Sequence, residues 1–194
     1  MAKVSSLCVY CGSSDQVDQV YKDTAYELGR RLGERGIELV YGGGHVGLMG
    51  LAADGALAAG GRVTGIIPGH LHAREVSHTG LSELLVVDTM HERKQLMAER
   101  ADAFAILPGG FGTLDEAFEI ITWRQLRLHD KPIVLVDIEG YWAPLSTLID
   151  RIIATRFAGE GSRRLYQRVE DIDGLFATLD AVPEPVIGLD TRLM

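Results

Sequence analysis

Ala103-Phe104-Ala105-Ile106-Leu107 is a short, continuously apolar run that ends abruptly on Pro108-Gly109-Gly110-Phe111-Gly112-Thr113. A run of that kind reads as a strand buried on both faces, the habit of parallel sheets. Beyond the glycines, Leu114, Ala117, Phe118, Ile121 and Leu126 recur near helical spacing, so the chain turns into a helix. The unit is strand, glycine loop, helix N-terminus. Glycines let the backbone approach a ligand closely. The first N–H groups of a helix have no partner inside it and favour an anion such as phosphate. Asp115 and Glu116 fall in what reads as the first helical turn, with Glu119 one turn on. A phosphate would repel them. Either they complement the helix dipole and only stabilise the helix, or the loop anchors a phosphate while a carboxylate reaches a neighbouring reacting atom.

The same alternation runs through the chain. Val4 to Tyr10 reads as a first strand, with a helix starting near Gly12-Ser13-Ser14-Asp15 and ending at Gly36. Ile37 to Tyr41 is a second strand, followed by the glycine turn Gly42-Gly43-Gly44-His45-Val46-Gly47 and an alanine-rich helix to Ala59. Strands follow at Val63 to Ile67, at Leu84 to Val87 (ending on Asp88) and at Ile133 to Val136, and Tyr166 to Val169 marks a short strand or linker. A helix near Trp142 carries the apolar face Leu145, Leu148, Ile149, Ile152 and Ile153, and Gly174 to Leu179 forms a last helix. Strands alternating with helices imply an α/β fold: a single-domain, Rossmann-like, doubly wound parallel sheet with helices on both faces. The domain spans residues 1–182, and 183–194 read as a loose tail.

With 194 residues the chain can bury one real core. A net charge of −8 argues against a nucleic-acid or anionic-membrane partner. The N-terminus lacks a signal-peptide core and no apolar run is long enough to span a bilayer, which points to the cytoplasm. Cys8 and Cys11 are spaced as C-x-x-C, but residues three apart on a strand face opposite ways, so they read as buried structural thiols. Gly42, Gly44 and Gly47 formally match a dinucleotide fingerprint. The strand that follows ends on Pro68-Gly69-His70, without the acid a ribose would need, so no nicotinamide or flavin cofactor is expected. No metal site is expected either: His70, His72 and His78 lack ligand spacing and read as surface loop residues between Pro68 and Ser82. In the segment Met90-His91-Glu92-Arg93-Lys94, Arg93 falls on the inner face set by Met90, Met97 and Ala101, where a guanidinium needs an anion.

These residues together resemble the Lonely Guy family of cytokinin-nucleotide phosphoribohydrolases. Pro108 to Glu116 looks like that family's P-G-G-x-G-T-x-x-E motif, without a gap. Tyr41 to Gly44, Val46 to Gly50, Met90 to Lys94, Ile121-Thr122-Trp123 and His129-Asp130-Lys131-Pro132 resemble further family segments in the same order. The likeness runs from Cys8 to about Arg156, with Asp115 where many members have Glu and Phe111 where many have Tyr.

The resemblance implies hydrolysis of the N-glycosidic bond of a nucleoside 5′-monophosphate, giving a free adenine-type base and ribose 5-phosphate, by a homodimer that needs no cofactor. It implies Arg93 and Glu116 as the catalytic pair, Gly109, Gly110, Gly112 and Thr113 around the phosphate, and Glu75 and Lys94 on the substrate. Gly43, Gly44, Asp88, Phe111, Leu114 and Asp115 complete the expected binding set. By the dipole argument Glu116 should stay ionised. Part of the family carries a lysine decarboxylase label. The only lysines here are Lys3, Lys22, Lys94 and Lys131, none in a convincing Schiff-base setting. A non-catalytic nucleotide or molybdenum-cofactor carrier of the same fold, and a general AMP nucleosidase, are the competing readings.

Overall fold

A computed structural model describes residues 4–72 and 77–181. Seven strands form one sheet: β1 (Ser6–Tyr10), β2 (Glu38–Tyr41), β3 (Val63–Pro68), β4 (Glu83–Val87), β5 (Ala103–Ile106), β6 (Ile133–Val136) and β7 (Gln167–Val169). Their order across the sheet is β4-β3-β2-β1-β5-β6-β7. Every pairing is parallel, with Cys8 opposite Val40 on one side and Phe104 on the other. The segment from Tyr166 to Val169 thus supplies the seventh strand.

The chain steps outward from β1 to β4, then returns across the sheet to β5 and steps outward the other way. Right-handed crossovers put the helices of the two halves on opposite faces. On one face lie α1 (Gln19–Arg35), α2 (Gly47–Ala58) and α7 (Ile172–Asp180); on the other lie α4 (Met90–Arg100), α5 (Phe111–Gln125) and α6 (Ala143–Ala154). Each face has its own core. Leu7, Val9 and Cys11 pack with the first set and Cys8, Tyr10 and Phe104 with the second. The two cysteines are free, buried and on opposite faces, and burial pushes both thiols far up. They have neither the geometry nor the thiolate character of a redox pair.

The alanines of α2 have a packing reason. A β-carbon at Gly29 of α1 would fall 1.9 Å from the Ala52 carbonyl, and one at Gly55 would fall 2.1 Å from the Tyr26 carbonyl. Small residues let the two helix backbones touch. α1 stops at Gly36, whose φ of 66° allows Ile37 N–H to close back on the Leu32 carbonyl at 2.9 Å. The helix begins at Gln19, not near Asp15.

Three other expectations change. The Pro68 to Ser82 loop contains a one-turn helix, α3 (Gly69–His72). His78 is no free surface residue: its Nε2 lies 2.9 Å from Asp54 Oδ1 and its side chain is largely enclosed. On α6 only Ile153 is buried, while Leu148 is exposed. Leu145 still packs part-buried against the core on that side of the sheet, so only part of the apolar face is left to solvent.

His129 is fully enclosed beside Phe104, with Nε2 on the Ile120 carbonyl at 3.1 Å. Burial drives its pKa down to about 4. The unfolded chain then binds the extra proton between about pH 6.5 and pH 4, so stability falls as pH drops through that window. Urea midpoints should decline from pH 7 to pH 4.5 by the equivalent of up to about 3 kcal/mol on this account. His129→Gln should flatten that decline.

Candidate active site

The sheet order reverses between β1 and β5. At such a switch point the loops at the carboxyl ends of neighbouring strands diverge and leave a crevice. Here the loops interlock first. Gly12 N–H donates to the Pro108 carbonyl at 3.1 Å and the Gly12 carbonyl accepts from Leu48 N–H at 3.0 Å. Gly47, at φ 70°, fits against Ser13 where a β-carbon would lie 2.4 Å from backbone. A β-carbon at Gly109 would meet Thr113 Oγ1 at 2.1 Å and Gly12 N at 2.8 Å. The glycines are compact because three backbone segments share one space.

α5 begins at Phe111, with Gly110 as its N-cap and Leu114 N–H making the first intrahelical bond to the Gly110 carbonyl at 3.0 Å. The N–H groups of Phe111, Gly112 and Thr113 therefore have no partner within the helix. Added β-carbons at Gly110 and Gly112 would meet nothing within 4 Å, so this helix end opens outward. That is the form of a phosphate seat.

The early start of α5 corrects the placing of the acids. Asp115 and Glu116 belong to the second turn, and no acid lies in the first. The dipole effect fades within the first turn, so helix capping does not account for them. Glu116 points into the protein. Its Oε1 lies 3.0 Å from Arg93 Nη1, and the two residues are only 9% and 8% exposed. Arg93 is held a second time, with Nε donating to the Ile66 carbonyl at 3.1 Å. Its guanidinium lies directly over Gly42, where a β-carbon would fall 2.0 Å from Nη2. Glycine at 42 is thus what admits the arginine. Gly42→Ala is expected to push Nη2 aside, cutting kcat by about ten- to a hundred-fold and lowering the melting temperature because the buried pair is disturbed; steady-state kinetics and thermal melting check this.

Burial lifts the Glu116 carboxyl above its ordinary value, the Arg93 charge opposes that rise and Asp115 adds to it. The helix end therefore does not hold the Glu116 pKa down: desolvation prevails over it, with Arg93 as the charge that favours the carboxylate. An acid raised in this way and steered by a guanidinium suits proton transfer or stabilisation of a nearby cation.

α4 is positioned by a reciprocal cap. Thr89 Oγ1 accepts from Glu92 N–H at 3.1 Å, and Glu92 in turn accepts from Asp88 N–H at 3.0 Å. This sets Arg93 inward and Lys94 at the rim. Lys94 Nζ lies 3.1 Å from Asp115 and 3.0 Å from Glu119. Burial alone would depress this ammonium, but the Glu119 and Asp115 hydrogen bonds prevail and its pKa is raised.

The structure thus gathers Arg93, Glu116, Lys94, Asp115 and the loop from Gly109 to Thr113. Gly43 and Gly44 are buried behind Gly42, joined to the segment at Ser77 and His78. Leu114 packs half-buried on the core around Tyr10 and Phe104, Phe111 is 93% exposed, and Asp88 is exposed at the α4 cap. Glu75 lies outside the described residues. Sequence reasoning missed Gly42 as the seat of Arg93, although its place directly after β2 was a signal. It also missed Tyr141, whose hydroxyl donates to the Gly109 carbonyl at 2.7 Å.

The family described as "Possible lysine decarboxylase" matches residues 49–179. The chain is 45% identical over 184 residues to the cytokinin riboside 5′-monophosphate phosphoribohydrolase LOG of Oryza sativa subsp. japonica, covering 94% of this chain and 76% of that one. The chain belongs to the Lonely Guy family. Another member, LOG1 of Arabidopsis thaliana, is 45% identical over 164 residues, covering 84% of this chain and 77% of its own. Among solved structures, a molybdenum cofactor binding protein from Rippkaea orientalis superposes with a TM-score of 0.69 at 20% identity, covering 93% and 98%. The molybdenum cofactor carrier protein from Chlamydomonas reinhardtii gives 0.69 at 21%, covering 90% and 95%. At that identity the likeness is one of fold.

The decarboxylase description would call for pyridoxal phosphate on a lysine, and the described lysines of this Lonely Guy protein do not fit that group. Lys94 is tied to two carboxylates that raise its pKa, the reverse of what Schiff-base formation needs. Lys131 precedes β6, at the opposite end of the sheet from the glycine loops, with Nζ on the Ala98 carbonyl at 2.8 Å. Among the described residues no helix is long and apolar enough to cross a membrane.

Proposed function

We propose that this protein hydrolyses the N-glycosidic bond of cytokinin riboside 5′-monophosphates, and of AMP, to free base and ribose 5-phosphate. The observation that carries this reading is the buried Arg93–Glu116 pair one helical turn beyond an open helix N-terminus. The open N–H groups of Phe111, Gly112 and Thr113 take the 5′-phosphate. Binding there carries the ribose toward the neighbouring turn of α5, where Glu116 lies. As the C1′–N bond breaks, its electron pair leaves with the base and positive charge builds at C1′ and the ring oxygen. The Glu116 carboxylate stabilises that charge and steers the water whose oxygen bonds to C1′. The proton that water gives up balances the one the departing base gains. Arg93, fixed by the Ile66 carbonyl, keeps Glu116 ionised and aimed.

A carrier of the same fold has no use for such a pair, because a buried ion pair costs desolvation that binding alone does not require. The relatives that share most of this sequence are named as hydrolases, whereas the cofactor carriers share the fold at 20–21% identity.

The protein acts in this reading as a cytoplasmic homodimer without nucleic-acid or membrane partners. Phe111, Phe118 and Leu126 along α5, with Leu148 and Phe157 at α6, leave apolar surface that a second copy would cover.

Purified protein incubated with N6-isopentenyl-AMP, AMP and N6-isopentenyladenosine tests this, with base followed by chromatography. The nucleotide should be cleaved at least a hundred-fold more efficiently than the nucleoside. Equal cleavage of nucleoside and nucleotide would contradict the phosphate seat.

A further inference from the structure

The peptide between Gly109 and Gly110 joins two glycines at the entry to α5. Two adjacent glycines permit most orientations of that plane. In a trans peptide the C=O and N–H point in opposite directions, and the described chain holds no cis peptide. Whatever grips the Gly109 carbonyl therefore aims the Gly110 N–H, the donor at the N-cap of α5. Tyr141 grips it at 2.7 Å, reaching from the loop after β6 to the loop after the neighbouring strand β5.

Tyr141 is itself held. Asp137, buried at the end of β6, accepts from Trp142 N–H at 2.6 Å, pairs with Arg168 at 3.2 Å, and donates its own N–H to the Val169 carbonyl at 2.8 Å. The turn passes through Glu139 at φ 53° and Gly140 at φ 71°, a left-handed pair that a looser loop would not adopt. Trp142 is buried, and the Tyr141 ring meets it edge-on at 4.8 Å while meeting Tyr21 of α1 at 6.0 Å. Three elements thus fix one hydroxyl on one carbonyl.

We propose that Tyr141 is a positioning residue that locks the Gly109–Gly110 peptide and so preorganises the phosphate seat. The inference rests on the hydrolase reading for its kinetic test but not for its binding test. Tyr141→Phe keeps the ring and removes the one hydrogen bond. KM for N6-isopentenyl-AMP and the inhibition constant of ribose 5-phosphate should each rise about five-fold, the worth of one net hydrogen bond. The kcat should change by less than about two-fold, the pattern of lost uniform binding. Cleavage of the nucleoside, which lacks the phosphate, should not change. Unchanged KM and inhibition constant in Tyr141→Phe would overturn the inference, as would equal losses on nucleotide and nucleoside. If the wild type releases no base, the hydrolase reading fails by itself. Calorimetric binding of ribose 5-phosphate to wild type and Tyr141→Phe then decides the inference, with an unchanged Kd overturning it.

Discussion

Glu116→Gln is expected to lower kcat on N6-isopentenyl-AMP about a thousand-fold, with KM within about three-fold of wild type. The amide keeps the shape of the carboxyl and can still meet Arg93 with its carbonyl oxygen, so the proposed phosphate seat persists. What it loses is negative charge beside the developing cation at C1′, in a site where burial makes charge count most. Steady-state kinetics on both proteins measure the effect. The wild-type pH profile should carry the mark of the same group. Because burial raises the Glu116 pKa, the ionised fraction begins to fall at a higher pH than for an ordinary glutamate. The kcat/KM should therefore decline toward acid with a midpoint above 4.5.

Arg93→Ala should cost both activity and stability. Removing the guanidinium leaves a buried carboxylate unpaired, a loss of about 3–5 kcal/mol at neutral pH. Glu116 will then favour its protonated form still more. The folded pKa rises further above the unfolded one, so the folded state binds the extra proton and the variant loses stability as pH increases through that interval. Arg93→Ala should accordingly melt closer to wild type at pH 5 than at pH 8. The double variant Arg93→Met, Glu116→Leu should recover much of the stability and none of the activity. Thermal melting across pH and base release settle both points. A single variant that melts like wild type at pH 8 would show that the pair is not desolvated.

The strand–glycine–helix units were legible because parallel strands buried on both faces leave unbroken apolar runs, as at Ala103 to Ile106. The inward turn of Arg93 was legible for a related reason: Met97 and Ala101 mark the buried side of α4, although Met90, read onto the same face, is exposed. Where the buried face is itself polar, apolar periodicity misleads. The buried residues of α5 are Thr113, Glu116, Ala117, Ile120 and Trp123. Counting apolar positions alone started the helix near Leu114 and set Phe118 inward, although Phe118 and Leu126 are exposed. The two polar members of that buried face, Thr113 and Glu116, are the ones the proposed site draws on. On α6 the stripe from Leu145 to Ile153 was readable, but not how much of it is buried, since an exposed apolar stripe has the same sequence pattern as a core-facing one: Ile153 is buried and Leu148 is exposed. The bond from Tyr141 to Gly109 joins loops 32 residues apart and depends on which strands are neighbours. Sequence order alone does not provide that.

The central claim is that the pair cuts the bond rather than merely holding the nucleotide. Single-turnover incubation with enzyme in excess over N6-isopentenyl-AMP tests it most directly, with wild type and Glu116→Gln side by side and bound nucleotide followed alongside free base. The account predicts that the wild type converts the nucleotide to equal amounts of base and ribose 5-phosphate, while Glu116→Gln binds it and leaves it intact. Base released by Glu116→Gln at the wild-type rate, or nucleotide held uncleaved by the wild type, would contradict it.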